Sequence, residues 1–224
     1  GGAVAYLVDI HQIGNSTTNY GVYLTGMMLP GVLEMVIVLI VIYSLGAELK
    51  YGTSHHLLKV ARGSMGNALG GKLLLYTVWF SLLGLSLVML LYHWLGYPLE
   101  GSIWNMFLAV VMMVVASEAV GVTIVSLLPV CRFALSVGSI YTVLGFTMAG
   151  FTMPVEMMSP WIRGVAEIFP QRHYYLWFVQ EGMFGSGFAG WWREWTHLLL
   201  FIPLPVLLMP RLKSAYVLLN YSRN

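Results

Sequence analysis

The chain has 224 residues, of which 58% are hydrophobic and only 9% are charged. Soluble domains carry about 25% charged residues, so this composition excludes a soluble globular protein and indicates an integral membrane protein. The formal charge of +2 gives no sign of nucleic-acid binding, and the single cysteine excludes an intrachain disulfide and a cysteine-rich metal site.

The N-terminal stretch, residues 1–22, is mixed in character, and we expect it to be the external tail of an ectodomain. It starts at Gly1 and lacks a basic region followed by an apolar core, so it does not predict a signal peptide. The first predicted span follows at about residues 23–45, because a crossing helix needs about 20 mainly apolar residues. Glu34 lies inside this span.

A polar stretch from Glu48 to Lys72 separates the first span from the second. It contains Glu48-Leu49-Lys50-Tyr51-Gly52-Thr53 and, four residues later, Leu57-Leu58. Water does not favour paired leucines, and the stretch has no apolar neighbours in sequence to cover them. We therefore expect a short amphipathic helix that docks into a groove of a partner protein, with an ordinary loop as the alternative.

A transmembrane domain over residues 23–219 is predicted, followed by a cytoplasmic tail over 220–224. Its four later spans are expected at about 73–95, 104–128, 133–153 and 195–213. Glu34 and Glu118 are the carboxylates inside the predicted spans, and each costs about 2.5–3.5 kcal/mol at mid-bilayer. At similar depth, they either line one cavity on a transport route, or each is hydrogen-bonded or protonated within the bundle.

Two short helices are predicted between the fourth and fifth spans. Ser159-Pro160-Trp161 reads as a helix start, with serine as the cap and proline at the first helical position. Pro170 ends this helix, and an aromatic segment from His173 to Phe178 follows. Both helices are too short to cross a bilayer, so they lie at its interface or dip into it. One apolar face of the first comprises Trp161, Ile162, Val165, Ala166, Ile168 and Phe169, and we expect this face to pack against the outer ends of the spans.

Two motifs resemble those of ABC type 2 transporter permeases. The turn Gly150-Phe151-Thr152-Met153-Pro154, followed by two short helices, is similar to the external end of a span in that family. The spacing of Glu48, Gly52-Thr53 and Leu57-Leu58 is similar to its cytoplasmic coupling helix. The resemblance implies an all-α membrane fold of six spans, of which five are readable here and an N-terminal one is expected to be missing. It also implies an external re-entrant lid that includes Pro154, Trp161, Val165, Phe169 and Pro170.

The distribution of basic residues predicts the orientation. Cytoplasmic loops carry the excess of lysine and arginine. Of the eleven in the chain, eight fall on the side of the Glu48–Lys72 stretch and three on the other side. We therefore expect that stretch and the C-terminus in the cytoplasm, and the short helices outside.

The resemblance implies the permease half of an exporter. The chain has no Gly-x-x-x-x-Gly-Lys-Ser/Thr phosphate loop, so ATP and Mg²⁺ are expected in a separate ABC ATPase subunit, and no cofactor in this chain. A second permease subunit, identical or different, and membrane lipid are the other implied partners, in a bacterial plasma membrane. The implied substrate is amphiphilic: drug-like, a lipid or a polysaccharide, moved out of the cytoplasm or inner leaflet. The residues that would couple to the ATPase are Glu48, Gly52, Thr53, Leu57 and Leu58.

Two rival functions remain open at this stage. One is a membrane-embedded enzyme that uses Glu34, Glu118 or His173 as acid–base groups, and the other is a non-catalytic assembly subunit of a membrane complex. No metal site is predicted, because His55 and His56 are adjacent and do not share a helix face.

Overall fold

A computed structural model describes residues 20–150 and 159–218, and in these two stretches the chain is helical without any strand. The α-helices are α1 (Tyr20–Tyr51), α2 (Ser54–Val60), α3 (Met65–Met89), α4 (Ile103–Leu127), α5 (Cys131–Met148), α6 (Pro160–Ala166), α7 (Pro170–Phe178), α8 (Phe188–Phe201) and α9 (Pro203–Leu218). Single π-helical turns extend α3 over Leu90–Trp94 and α7 over Val179–Met183. Five helical stretches are long and apolar enough to cross a membrane. The predicted all-α membrane protein with five spans is confirmed.

The helices of the first two spans, α1 and α3, extend further into the polar stretch between them than the hydrophobic pattern indicates. Helix α1 continues to Tyr51 and α3 already begins at Met65, so the polar stretch between them contributes turns to both helices. The α3 start is capped, because the Ser64 hydroxyl accepts a hydrogen bond from the Asn67 N–H at 3.3 Å. Hydropathy marks the apolar part of a helix, whereas the cap marks its true end.

The last span is divided into α8 and α9 at Pro203. Proline lacks the N–H that would continue the α8 hydrogen-bond ladder, so the regular helix stops at Phe201 and restarts. The Ile202 N–H bonds instead to the Leu199 carbonyl at 3.2 Å, as in a tighter turn.

Helix α4 is the centre of the bundle. It packs against α1, α3, α5, α7, α8 and α9, and most of its side chains are buried. Gly121 allows α1 to come close, since a Cβ atom there would lie 3.2 Å from the Val38 carbonyl oxygen. By contrast α3 and α9 leave much of their apolar surface exposed, as expected for helices facing lipid.

The short helices lie at opposite ends of the bundle. Helix α2 contacts α9 near its C-terminus, where the Ser54 hydroxyl donates to the Tyr216 carbonyl at 3.1 Å. Helix α7 lies near the start of α1, where the Gln171 side chain packs directly on Gly31. We call these the α2 end and the α7 end.

Helix α6 begins at Pro160 as predicted, but its expected buried face is mostly exposed. Trp161 is 70% exposed and Val165 40% exposed, so the prediction that this whole face packs on the spans is wrong for them. Phe169, which follows the helix, is buried against the Tyr141 ring at a centroid distance of 4.8 Å. Ala166 and Phe169 therefore anchor this segment, while Trp161, Val165 and Ile168 point outward. Pro154 lies outside the described residues.

Candidate functional site

At the α2 end, the Gly-Thr pair forms the turn that ends α1. Gly52 has a φ of +70°, a conformation that glycine adopts without steric cost. The Gly52 N–H bonds to the Leu49 carbonyl at 3.4 Å, and the Thr53 N–H bonds to the Glu48 carbonyl at 3.0 Å. These two bonds form a Schellman motif, which closes the helix and directs the chain into α2. The Gly52-Thr53 pair of the motif therefore terminates α1.

The Glu48 side chain is bonded within its own chain. Its Oε1 accepts a bond from Lys72 Nζ at 2.8 Å, and its other oxygen accepts one from the Thr53 hydroxyl. Lys72 Nζ also donates to the Ser44 carbonyl at 3.1 Å. This network joins the end of α1 to the start of α3, so Glu48 fastens the base of α2 in place.

The two leucines of α2 have different environments. Leu58 is only 7% exposed and belongs to the apolar core, whereas Leu57 is half-buried at its edge. The inference that both leucines need a partner to cover them is wrong for Leu58, because the chain itself covers it. Val60, 71% exposed, and Tyr51, 60% exposed, are the large apolar side chains that stay uncovered here. Sequence spacing did not separate the inward leucine from the outward valine.

An open groove of about 550 Å³ runs beside α2. Its lining comprises Glu48, Leu57, Val60, Ala61, Arg62, Asn67, Ala68, Gly71 and Lys72. Glu48 and Leu57, two of the residues predicted to couple to an ATPase, thus meet the exposed Val60 at one surface between α2 and α3.

The two membrane carboxylates face different helices. Glu118 Oε2 accepts a hydrogen bond from the α3 residue Thr77 at 2.7 Å. Glu34 is buried towards α7, where the Gln171 backbone approaches it, and its oxygens have no regular hydrogen-bond partner among the described residues. Neither carboxylate lines the groove beside α2 or the larger cavity described next, and their place on one transport route stays a prediction.

A larger cavity of about 820 Å³ opens along the side of the bundle. Its wall is apolar where it is formed by α4, α8 and α9, and polar where α6 and the first turns of α8 close it. The apolar lining comprises Val120, Ile124, Leu127, Leu200, Phe201 and Leu204, and the ionisable lining comprises Arg163, Glu167, Arg193 and His197. The lid residues Trp161, Val165, Phe169 and Pro170 do not appear in this lining.

Beside the polar end of that cavity, four ionisable side chains converge. His173 of α7 is 1% exposed, and its Nδ1 lies 2.7 Å from Glu194 Oε2 of α8. His197, also of α8, lies 3.3 Å from Glu167 Oε2 and contacts the His173 ring. The sequence interpretation missed Glu167, Glu194 and His197. The only local signal was the spacing of Glu194 and His197, which are three apart and so share a helix face.

A third missed carboxylate, Glu181, organises the start of α4. Its Oε1 accepts bonds from the Ser102 N–H and the Asn105 amide, both at 2.8 Å, and its Oε2 accepts one from Trp191 Nε1 at 3.0 Å. Helix starts leave N–H groups without partners, so this buried carboxylate supplies one from another segment. Its role is to hold α4, α7 and α8 together.

Comparisons with known proteins agree with the motif spacing. Comparison with curated proteins gives no match. The family model described as ABC-2 family transporter protein matches residues 4–209, which is most of the chain. The resemblance found in the turn before the short helices and in the α2 motif is thereby confirmed. The chain belongs to the ABC-2 transporter family, and it is a multi-pass membrane protein of the permease type.

Proposed function

We propose that the chain is the permease subunit of an ATP-driven exporter in a bacterial plasma membrane. A separate ABC ATPase binds ATP and Mg²⁺, and a second permease subunit, identical or different, completes the pathway. The substrate is amphiphilic and leaves the cytoplasm or the inner leaflet.

The lateral cavity is the observation that supports this substrate class. Its volume of about 820 Å³ lies within the range of ligand pockets, about 300–1,000 Å³. Ionisable side chains from α6 and α8 line one end, and aliphatic side chains such as Ile124 and Leu204 line the rest. A molecule with a polar head and an apolar body matches that division, whereas a wholly polar solute would leave the aliphatic wall unsatisfied.

The contacts of α2 support its role as the coupling helix. Its base is fastened to α1 and α3 through Glu48 and Lys72, and its first turn is fastened to α9 through Ser54 and Tyr216. A displacement of α2 by a bound ATPase would therefore be transmitted to three spans at once. The excess of lysine and arginine at this end supports a cytoplasmic location.

Docking would involve the outward side of α2 and the groove beside it. Helices that bind in grooves rely on a few apolar anchors, and the exposed apolar groups here are Val60 and Tyr51. Leu57, at the edge of the groove, adds a third apolar surface. Glu48 and Thr53 act by shaping α2, since their side chains bond to each other.

The experiment compares two matched valine substitutions at opposite ends. Val60→Asp places a charge on the outward side of α2, and Val165→Asp places the same charge on exposed α6. We expect Val60→Asp to abolish co-purification of the ATPase and its stimulation in nanodiscs, and Val165→Asp to retain both. Both variants must keep the thermal midpoint of the wild type. Full ATPase binding and stimulation by Val60→Asp would contradict the coupling role of α2.

The rival enzyme function has less support. Both ring nitrogens of His173 already have partners, and the ring is almost wholly buried, so it presents no free acid–base group to a substrate.

A further inference from the structure

Four potential metal ligands from three segments lie close together at the α7 end: ligand atoms of three lie within 4.8 Å of one another, and Glu194 contacts both histidines. They are Glu167 after α6, His173 of α7, and Glu194 and His197 of α8. His173 Nδ1 lies 2.7 Å from Glu194 Oε2 and 3.3 Å from His197 Nδ1. His197 Nδ1 lies 3.3 Å from Glu167 Oε2 and 4.0 Å from Glu194 Oε2. Four donor atoms thus meet with spacings of a few ångströms.

The tautomer of His173 follows from the contact that its Nε2 atom makes. Its Nε2 lies 2.9 Å from the backbone carbonyl of Glu167. A carbonyl oxygen can only accept, so Nε2 carries the hydrogen, and in a neutral ring Nδ1 then carries a lone pair. That lone pair faces a carboxylate oxygen of Glu194 and a ring nitrogen of His197. The Nδ1 lone pair and the Glu194 oxygen are two acceptors 2.7 Å apart and repel each other, so this contact requires an additional proton or a metal ion between them.

Two of the four spacings match a tetrahedral zinc site, and the two made by Glu194 lie on either side of it. Zinc binds histidine nitrogen and carboxylate oxygen at about 2.0–2.2 Å, so neighbouring ligand atoms in a tetrahedron lie about 3.3–3.6 Å apart. The two contacts made by His197 Nδ1 are both 3.3 Å, and the 2.7 and 4.0 Å spacings lie on either side of this range. Small rotations of the two glutamate side chains would equalise them.

The surrounding groups have the arrangement found around bound zinc. Metal-binding histidines usually donate their second N–H to a carbonyl or carboxylate, as His173 does to the Glu167 carbonyl. The unused oxygen of Glu167 lies 3.4 Å from Arg172 Nε, which holds that carboxylate in place. Two carboxylates balance the charge of a divalent ion, and the lateral cavity, lined by Glu167 and His197, gives an ion access from outside the bundle.

We propose that Glu167, His173, Glu194 and His197 bind one zinc ion, which ties the segment after α6 to α7 and α8. Zinc binding requires neither the ATPase nor a bound substrate, although Glu167 and His197 also line the polar end of the lateral cavity.

The test uses the whole chain, purified in detergent and stripped of metal with a chelator. It is titrated with Co²⁺, whose visible absorption reports tetrahedral coordination, and then with Zn²⁺ in competition with a chromogenic chelator. We expect one ion per chain, an intense visible Co²⁺ spectrum, and its loss on addition of Zn²⁺. His197→Gln should weaken zinc binding at least about 100-fold, because it removes a direct ligand.

The matched control removes two histidines at the opposite end. His55→Gln with His56→Gln changes the exposed histidines of α2 and should leave zinc affinity at the wild-type value. Should His197→Gln fail to fold, Glu167→Gln carries the same comparison, since that glutamate has the most exposed side chain of the four. The absence of stoichiometric zinc binding, or equal affinity in the wild type and the folded ligand variant, would overturn the proposal and leave a cluster held by protons alone.

Discussion

The two ends of the bundle are built in opposite ways. At the α2 end the polar contacts mostly join residues close to a turn, and the Gly52 turn and Glu48 are read directly from a short motif. At the α7 end the contacts join distant segments, since His173 meets Glu194 and His197 from another helix. Both ends expose large apolar side chains, and the α7 end in addition buries Arg172, His173 and Glu181. This difference fits the two proposals, an ATPase-docking surface at the α2 end and a zinc site at the α7 end.

The comparison is tested most directly by determining which end of the bundle faces the cytoplasm. In a Cys131→Ala background, we expect Ser186→Cys, at an exposed position of the α7 end, to react with an impermeant thiol reagent on intact cells. His56→Cys, exposed on α2, should react only after permeabilisation. Ser54, the first residue of α2, is not suitable as a labelling position, because its side chain is buried. The reverse labelling pattern would exclude docking of a cytoplasmic ATPase at α2.

Leu58 marks the inner side of α2, which packs on the core, and Val60 marks its outer side. We expect Leu58→Ala to lower the free energy of unfolding by about 2–5 kcal/mol, because it removes packed methyl groups from the core. Val60→Ala, the exposed control, should change it by less than about 0.5 kcal/mol. Denaturant unfolding in mixed micelles measures both. Similar losses in the two variants would mean that α2 has no distinct inner side.

The carboxylates of the two ends should differ in their contribution to stability. Glu181→Gln should cost about 1.5–3 kcal/mol, because its oxygen can accept on only one side and its NH2 group then faces another N–H donor, such as Trp191 Nε1. Glu48→Gln should cost no more than about 1 kcal/mol, since its pair with Lys72 is partly solvated. The same unfolding assay compares them, with exposed Glu100→Gln as the control. An equal cost at both positions would remove this distinction between the ends.

The turns around α2 give the smallest expected effects, with opposite signs. Gly52→Ala should destabilise by about 1–2 kcal/mol, because alanine is strained at a φ of +70°. Arg62 already adopts a φ of +54° as a non-glycine residue. Arg62→Gly should therefore stabilise by up to about 1 kcal/mol, less the extra freedom glycine gives the unfolded chain. Thermal midpoints that shift in the same direction would contradict the expectation that the φ angle decides the sign of each effect.

The features that depend on nearby residues were predictable from the sequence. The five spans follow from hydropathy, the Gly52 turn from its motif, and the start of α6 from Ser159-Pro160. The burial of Leu58 was not predictable, because the core that covers it includes α9, which lies more than a hundred residues later. The same reason hid the contacts of Glu167 and Glu181, whose partners come from other segments.

The division of the last span at Pro203 has a consequence for the bilayer around the protein. Its 31 residues, Phe188–Leu218, would measure about 46 Å as one straight helix, well beyond a hydrocarbon core of about 30 Å. A span that is too long must tilt, bend or thicken the lipid nearby. The missing hydrogen bond at Pro203 provides a joint where the span can bend instead. We expect the protein to tolerate membranes of different thickness by changing this angle, while the packing around α4 stays as it is.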